Sequence, residues 1–472
     1  MNNALVTLTD RRYLPGTIAM VYSARLNGYT GKVVAMHTDE LSLIEQKILH
    51  SHNIDTLLIT GIDNPRGKSK TKNINIQRFL SSNVYSKLHT WSLDHFSKIL
   101  FVDSDVIFLK PFTNVFNTPM KEGWIAACEI DLEFASGSDM FNSGVFLTVP
   151  GKNIYNDMMG VLSTTSSYDG GDQGFLNNFF KDRVVFLSAS MNVSKRESSK
   201  ILNFAKTIHY LNLPKPWHGG PNYDPEGGVL YRNGADKFKI QFKEIREECY
   251  TLWWRCYQQA INSMWKQTLG DRLNQLNKIV YNQQQVEGNL FYQDKQQQAG
   301  EINTLFEYKR QKLFNIVKGK KSVLEIGVNG CHSALTMLTS NPELKYYGFD
   351  INWHSYTQPA VDYIKTCFKN VNYIVGDSKL TIPEFKKNIK FDVIHIDGGH
   401  SIEQARADIE NCKRLAKKDT YIVFDDCNSL TDGRKSRLLV LWNEYVRAGY
   451  IREIDDWNGL PQTWDSKVGV YV

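Results

Sequence analysis

KILFVDSDVIFL, residues 98–109, is an apolar run broken once, by Asp103-Ser104-Asp105. So short an apolar run reads as a strand buried on both faces of a covered sheet. Two carboxylates at i and i+2 where a strand breaks can converge on one hard cation, because the turn between them defeats strict side-chain alternation. A divalent ion held there can bridge two phosphate oxygens and neutralise a leaving diphosphate. Around this stretch, residues 1–217 alternate further strand-like runs (ALVTLT, KVVAMHT, TLLIT, SGVFLTV) with helical patterns. Residues 320–472 start a fresh alternation: SVLEIGV, YYGFDI, YIVGDS, FDVIHIDGG, TYIVFDDC, YIREID and VGVYV. Alternation of this kind argues two parallel sheets covered by helices, an α/β chain.

The intervening stretch 237–318 shows no β pattern, and its periodic apolar positions Leu252, Cys256, Ala260 and Met264 predict helix. A Gln/Asn-rich patch at 282–298 predicts a loose middle. At 472 residues the chain exceeds what one hydrophobic core supports. Hydrophobic residues at 42% and charged residues at 22% exclude a disordered or fibrous chain. No run reaches the roughly 18 apolar residues of a membrane span, and Met1 leads straight into a strand-like run, so a soluble, cytoplasmic protein is expected. Seven cysteines form no C-x-x-C pair and read as buried free thiols. The net charge of +6 is spread without an arginine-rich tract, which suits phosphorylated small substrates and gives no reason to expect a nucleic-acid partner.

The first half resembles the glycogenin-like members of family 8 retaining glycosyltransferases from Leu5 to about Trp265. The matching stretches are LVTLTDRRY, YSKLHTWSLDHFSKILFVDSDVIFL, FNSGVFLTVPG, SSYDGGDQGFLNNFF, HYLNLPKPW and LWW at 252–254. The resemblance implies a GT-A domain, a Rossmann-like nucleotide-sugar fold, over 1–267. It implies Mn²⁺ held by Asp103, Asp105 and His209, and two carboxylates with a neutral imidazole make a borderline set that suits Mn²⁺. It places uracil and ribose at Leu8, Thr9 and Tyr13, with Ser104 also facing the nucleotide, and it sets Arg78 and Lys87 toward the donor. Lys215 would grip the diphosphate as a point charge. Asn142, Ser143, Asp169, Asp172 and Gln173 would line the donor sugar, with Lys87, Asp169, Asp172 and Gln173 carrying the catalysis. Asn212 stands where the family has glycine. Glycogenins carry their self-glucosylated tyrosine in the region 172–209, which contains no tyrosine here. A separate glycan or glycoprotein acceptor for a UDP-sugar is therefore expected over self-priming.

In the second half, SVLEIGVNGCHSALTML at 322–338 reads as strand, glycine turn and helix. An acid precedes the first glycine, giving Glu325, Gly327 and Gly330 in an E-x-G-x-x-G order that repels a pyrophosphate and suits the cationic amino-acid part of S-adenosylmethionine. The loop resembles motif I of class I methyltransferases, which implies cofactor contacts at Glu325, Gly327, Gly330, Asp350, Asp377 and Asp397. HIDGGHS at 395–401 and the later Asp425-Asp426 resemble the metal-dependent sugar and macrolide O-methyltransferase branch. That implies Mg²⁺ on Asp397, Asp425 and Asp426 with His400 as general base. A cation lowers the hydroxyl pKa and the histidine removes the proton. The reading is a bifunctional glycan-modifying enzyme. A connector, 268–303, joins the first domain to a class I methyltransferase Rossmann-like domain at 304–472. A homodimer is compatible with this layout. Modular chains of this kind resemble those of large DNA viruses, which would place the protein in a host cytoplasm.

Overall fold

A computed structural model describes the chain except for residues 1, 40, 66–82, 131–138, 197–198, 213, 219–228, 234–235, 241–244, 246, 282–289, 292–301, 387, 428–435 and 458–465. The fold divides into two compact units, one of residues 1–41 and 49–260 and the other of residues 42–48 and 261–472. Arg78 and most of the Gln/Asn-rich patch lie outside the described residues.

In the first unit the strands are β1 (Asn3–Leu8), β2 (Lys32–His37), β3 (Asp55–Leu58), β4 (Lys98–Val102), β5 (Val106–Phe108), β6 (Ile125–Glu129), β7 (Phe141–Thr148), β8 (Val184–Phe186), β9 (Val193–Ser194) and β10 (Thr207–His209). The main sheet runs β3-β2-β1-β4-β7-β6-β8. Strands β3, β2, β1 and β4 are parallel, and β7 enters antiparallel to β4. The chain winds outward from β1 to β3 and then crosses to β4 on the other side of β1. That crossing makes a topological switch between β1 and β4, the place where α/β sheets open a crevice at their carboxyl ends. Leu8 and Thr9 leave one side of it and Asp103 leaves the other. Trp91, Phe101 and Phe146 stack beneath the sheet, with Trp91 and Phe146 centroids 5.1 Å apart.

A hairpin, β11 (Val229–Asn233) and β12 (Asp236–Ile240), extends into the stretch read from sequence as free of strands. Its four-residue alternation Lys237-Phe238-Lys239-Ile240 is too short to stand out in a helical window. The expected helix is present as Glu247–Leu269, and the boundary between units falls inside it.

The second unit holds β13 (Ser322–Ile326), β14 (Lys345–Asp350), β15 (Val371–Val375), β16 (Phe391–Ile396), β17 (Ala416–Phe424), β18 (Ile451–Glu453) and β19 (Lys467–Tyr471). They form one sheet in the order β15-β14-β13-β16-β17-β19-β18, parallel through β17 and closed by antiparallel β19 and β18. Its switch lies between β13 and β16. Turns after β13, β14, β16 and β17 therefore bring Gly327, Asp350, Asp397 and Asp425 to one edge. The helix Asp271–Val280, in the stretch read as connector, buries Leu273, Leu276 and Val280 within this unit.

Candidate functional site

Register assembles the first cluster. Strand β10 pairs antiparallel with β5, with His209 opposite Val106, and the Tyr210 N–H donates to Asp105 O at 2.9 Å. The Asp103 N–H donates to Gly144 O at 2.7 Å, tying the turn to β7. Gly144 must lack a side chain, because a Cβ there would stand 2.2 Å from His209 Cε1. Strand pairing thus brings an imidazole 104 residues downstream against Asp105, with His209 Nε2 3.2 Å from Asp105 Oδ1 and 3.8 Å from Asp103 Oδ2.

The protonation pattern fits a cation. Asn192 Nδ2 donates to Asn142 Oδ1 at 2.8 Å, which leaves Asn192 Oδ1 to accept from His209 Nδ1 at 2.9 Å. With its proton on Nδ1, the ring turns the Nε2 lone pair toward two carboxylate oxygens. Acceptors face one another, all within 4.8 Å, and a cation between them reconciles the arrangement. The opposite oxygens of both aspartates are held by lysines. Lys87 Nζ is 3.0 Å from Asp103 Oδ1, and Lys215 Nζ bonds Asp105 Oδ2. Burial opposes the Asp105 charge, but the Lys215 ammonium outweighs it and pulls its pKa down. Burial pushes Asp103 up, against the pull of Lys87.

Lys87 also reaches Asp172 Oδ2 at 2.9 Å and donates to Ser143 O at 3.1 Å. Burial disfavours its ammonium, yet Asp103 and Asp172 prevail and raise its pKa. Asp172 opens the helix Asp172–Phe179 and accepts from Ser143 Oγ at 2.8 Å. Gln173 Oε1 accepts from Asn142 Nδ2 at 2.9 Å. Asp169 Oδ1 takes the Gly171 and Gly174 N–H groups at 2.9 and 3.0 Å, tying the segment before the helix to its first turn. Ser104, almost fully buried, donates to Leu8 O at 2.6 Å and lies 3.0 Å from Thr7 Oγ1, so its hydroxyl joins β1 to the turn. Thr9 pairs with Thr17 at 2.7 Å. The Tyr13 ring lies under Lys215 Nζ at 5.6 Å and edge-on to Trp217. Asn212 has φ +57°, a left-handed backbone that asparagine tolerates best after glycine. Sequence motifs did not single out Asn192, or Lys195, which donates to Pro214 O at 3.0 Å beneath that loop.

At the second switch, Gly327 has φ +87°, and a Cβ would meet Asp397 O at 1.9 Å. Asp350 Oδ2 accepts from the Val328 and Asn329 N–H groups at 2.8 and 2.9 Å and so shapes the glycine turn. Gly330 backs onto His332 and Val280. Asp377 caps the helix Ser378–Glu384 through the Lys379 N–H at 2.9 Å. Glu325 is buried in the sheet, where it accepts from His395 Nδ1 at 2.8 Å and from Tyr346 Oη. The turn Gly327-Val328-Asn329-Gly330 lacks side chains at its first and last positions and acids stand at successive strand ends, which fits a nucleoside cofactor that needs close backbone approach.

Asp397, His400, Asp425 and Asp426 line one pocket with Gly398, Gly399 and Leu438. His400 Nε2 lies 2.9 Å from Asp426 Oδ2, and this bond foremost raises its pKa. Burial and Asp425 push Asp397 well up. Asp425 falls to about 2 against its burial, chiefly through Lys309, whose Nζ sits 2.6 Å from Asp425 Oδ2. Lys309 carries no motif and was not anticipated from sequence. A carboxylate–imidazole set is the right donor type for a divalent ion, but an ammonium is already lodged in it.

Comparison with known proteins agrees with both halves. Residues 4–220 match Glycosyl transferase family 8, and residues 324–427 match the family described as Methyltransferase domain. Glycogenin-1 of Caenorhabditis elegans is 30% identical over 232 residues, 46% of this chain and 52% of that protein. Glycogenin-1 of Homo sapiens is 28% identical over 269 residues, 54% of this chain and 72% of that protein. UDP-glucuronate:xylan alpha-glucuronosyltransferase 2 of Arabidopsis thaliana is 25% identical over 277 residues, 55% of this chain and 41% of that protein. The chain thus spans about half the length of the nematode relative. No helix among the described residues is long and apolar enough to cross a membrane. With GT-A and class I methyltransferase folds in succession, the chain joins an N-terminal family 8 glycosyltransferase domain to a C-terminal S-adenosylmethionine-dependent methyltransferase domain.

Proposed function

We propose that the first unit transfers a sugar, with retention, from a UDP-sugar, and that the second methylates a sugar hydroxyl from S-adenosylmethionine. The observation that carries the first reading is the acceptor-only face of Asp103 Oδ2, Asp105 Oδ1 and His209 Nε2, oriented by Asn192. A divalent ion such as Mn²⁺ on these three would neutralise the leaving diphosphate. Lys215 would bind the diphosphate, while Tyr13 and Thr9 would hold the nucleoside. Lys87 would keep Asp172 ionised and turned with Gln173 toward the sugar, where oxocarbenium-like charge develops. In the second unit Asp426 takes the Nε2 proton of His400, which leaves Nδ1 to accept a hydroxyl proton.

For the acceptor, the similarity to glycogenins favours the chain itself over a separate glycan. The tyrosine-free stretch 172–209 then places the modified residue elsewhere in the sequence. Intact mass after incubation with UDP-glucose and Mn²⁺ tests this. A ladder of hexose additions that Asp105→Asn abolishes is expected. An unmodified chain that turns over donor only with an added glycan would restore the separate acceptor. No donor turnover at all would leave the first unit as a binding domain.

A further inference from the structure

We infer that Lys309 is the resident cation of the methyltransferase pocket, and that its ammonium holds the Asp397–Asp425–Asp426 cluster in place of a divalent metal. This rests on the methyltransferase reading of the second unit. Lys309 projects from the helix Glu307–Ile316, ahead of the matched stretch 324–427, so no motif of that stretch includes it.

Lys309 is the nearest cation to the Asp425-Asp426 pair among the contacts of the described residues. Asp425 Oδ2 faces Lys309 Nζ at 2.6 Å, and Asp425 Oδ1 accepts the Asp426 N–H at 2.9 Å. Asp426 Oδ1 lies 3.7 Å from Lys309 Nζ, and Asp426 Oδ2 takes His400. The contrast with the first unit is chemical. There each aspartate gives one oxygen to a lysine and keeps the other for the face of His209. Here one ammonium lies against both neighbouring aspartates, 2.6 Å from Asp425 Oδ2 and 3.7 Å from Asp426 Oδ1. A divalent ion on Asp425 would stand a few ångströms from an ammonium in a pocket walled by Phe424 and Leu438, where like charges repel strongly. If Lys309 were gone, two overlapping sets, His395 with Asp397 and Asp425 and Asp397 with His400 and Asp426, would remain with ligand atoms within 4.8 Å and no competing ammonium.

The probe is Mn²⁺, counted per chain by the paramagnetic resonance of the free ion, on full-length protein with S-adenosylmethionine binding measured alongside. Wild type is expected to bind one Mn²⁺ and Asp103→Ala none, while Asp103→Ala with Lys309→Met regains one. A Mn²⁺ bound by Asp103→Ala with Lys309 intact would overturn the inference. So would a Lys309→Met protein that binds S-adenosylmethionine and still takes no metal. If Lys309→Met does not fold, Lys309→Gln replaces it, and the Asp103→Ala count decides without either. Loss of S-adenosylmethionine binding in the wild type would instead defeat the methyltransferase reading, a separate outcome from the metal count.

Discussion

At the scale of single residues, the first site depends on which nitrogen of His209 carries the proton. Asn192 decides it, and Asn142 holds Asn192 in the required orientation. Outer partners that fix a ligand's tautomer typically govern metal affinity by about 10–100-fold. Asn192→Ala is therefore expected to weaken Mn²⁺ binding by about that factor while S-adenosylmethionine binding stays unchanged. Calorimetric titration of both ligands on the same preparation checks it, and equal Mn²⁺ affinity would mean that His209 orients itself. Asp103, Asp105 and His209 were legible in the sequence because their residue types and order match a known motif. Asn192 and Lys309 were not, because each acts through a bond that only tertiary packing creates. Ser104 shows the complementary case: a motif position whose hydroxyl is engaged by the backbone of β1.

Among elements, the alternation of apolar runs exposed both sheets, while the turns between strands needed coordinates. Asp419 shows why. The stretch AKKDT, residues 416–420, has no strand-like alternation, yet it belongs to β17, and Asp419 at φ +66° lets the strand continue past an irregular register between Phe391 and Val393. Gly327 is the element-scale counterpart that sequence did reveal. Its positive φ and the 1.9 Å approach to Asp397 O leave no room for a methyl group. Gly327→Ala should abolish S-adenosylmethionine binding and lower the melting temperature of the second unit, with UDP binding kept; retained cofactor affinity would show that the turn has slack. Helix Ile402–Lys413 supplies a pH response. Asp408, fully buried, accepts from Ser378 Oγ at 2.6 Å, and burial above all lifts its pKa to about 6. The folded carboxyl binds its proton more readily than the unfolded one, so its stabilisation is complete below the ordinary value near 4 and fades as pH rises through 6. A shift of about two units corresponds to about 3 kcal/mol. Thermal unfolding between pH 4.5 and 7.5 should show this loss, and Asp408→Asn should flatten it. An unchanged slope in the variant would assign the pH response to other groups.

Over the whole molecule, two sheets use the same device. Each winds outward from its first strand, crosses to the other side and opens a crevice where the direction reverses. The sequence announces the repetition of α/β pattern but not where one unit stops, because the helix Glu247–Leu269 carries one unbroken apolar periodicity across the division at Ala260. Motif matching places the second domain from about residue 304, whereas packing draws Ile261 onward into it. Trp265, fully buried, donates from Nε1 to Glu307 Oε2 at 2.7 Å, and Glu307 in turn holds the buried Arg310 guanidinium at 2.9 Å. Asn277 takes His332 Nε2 at 2.9 Å, with Leu273, Leu276 and Val280 buried around it. Deleting 261–303 would strip Glu307 of Trp265 and His332 of Asn277, and open space where three aliphatic side chains and an indole stood. Each large apolar loss costs about 2–5 kcal/mol, against a total stability of about 5–15 kcal/mol for an ordinary domain. A fragment of residues 304–472 should therefore fail to unfold cooperatively and fail to bind S-adenosylmethionine, while one of 261–472 should do both. Residues 42–48, which group with this unit, are missing from both fragments, so the comparison isolates 261–303. Cooperative melting and full cofactor affinity in the shorter fragment would reduce the helix Asp271–Val280 to an appendage and return the domain boundary to where the motifs put it.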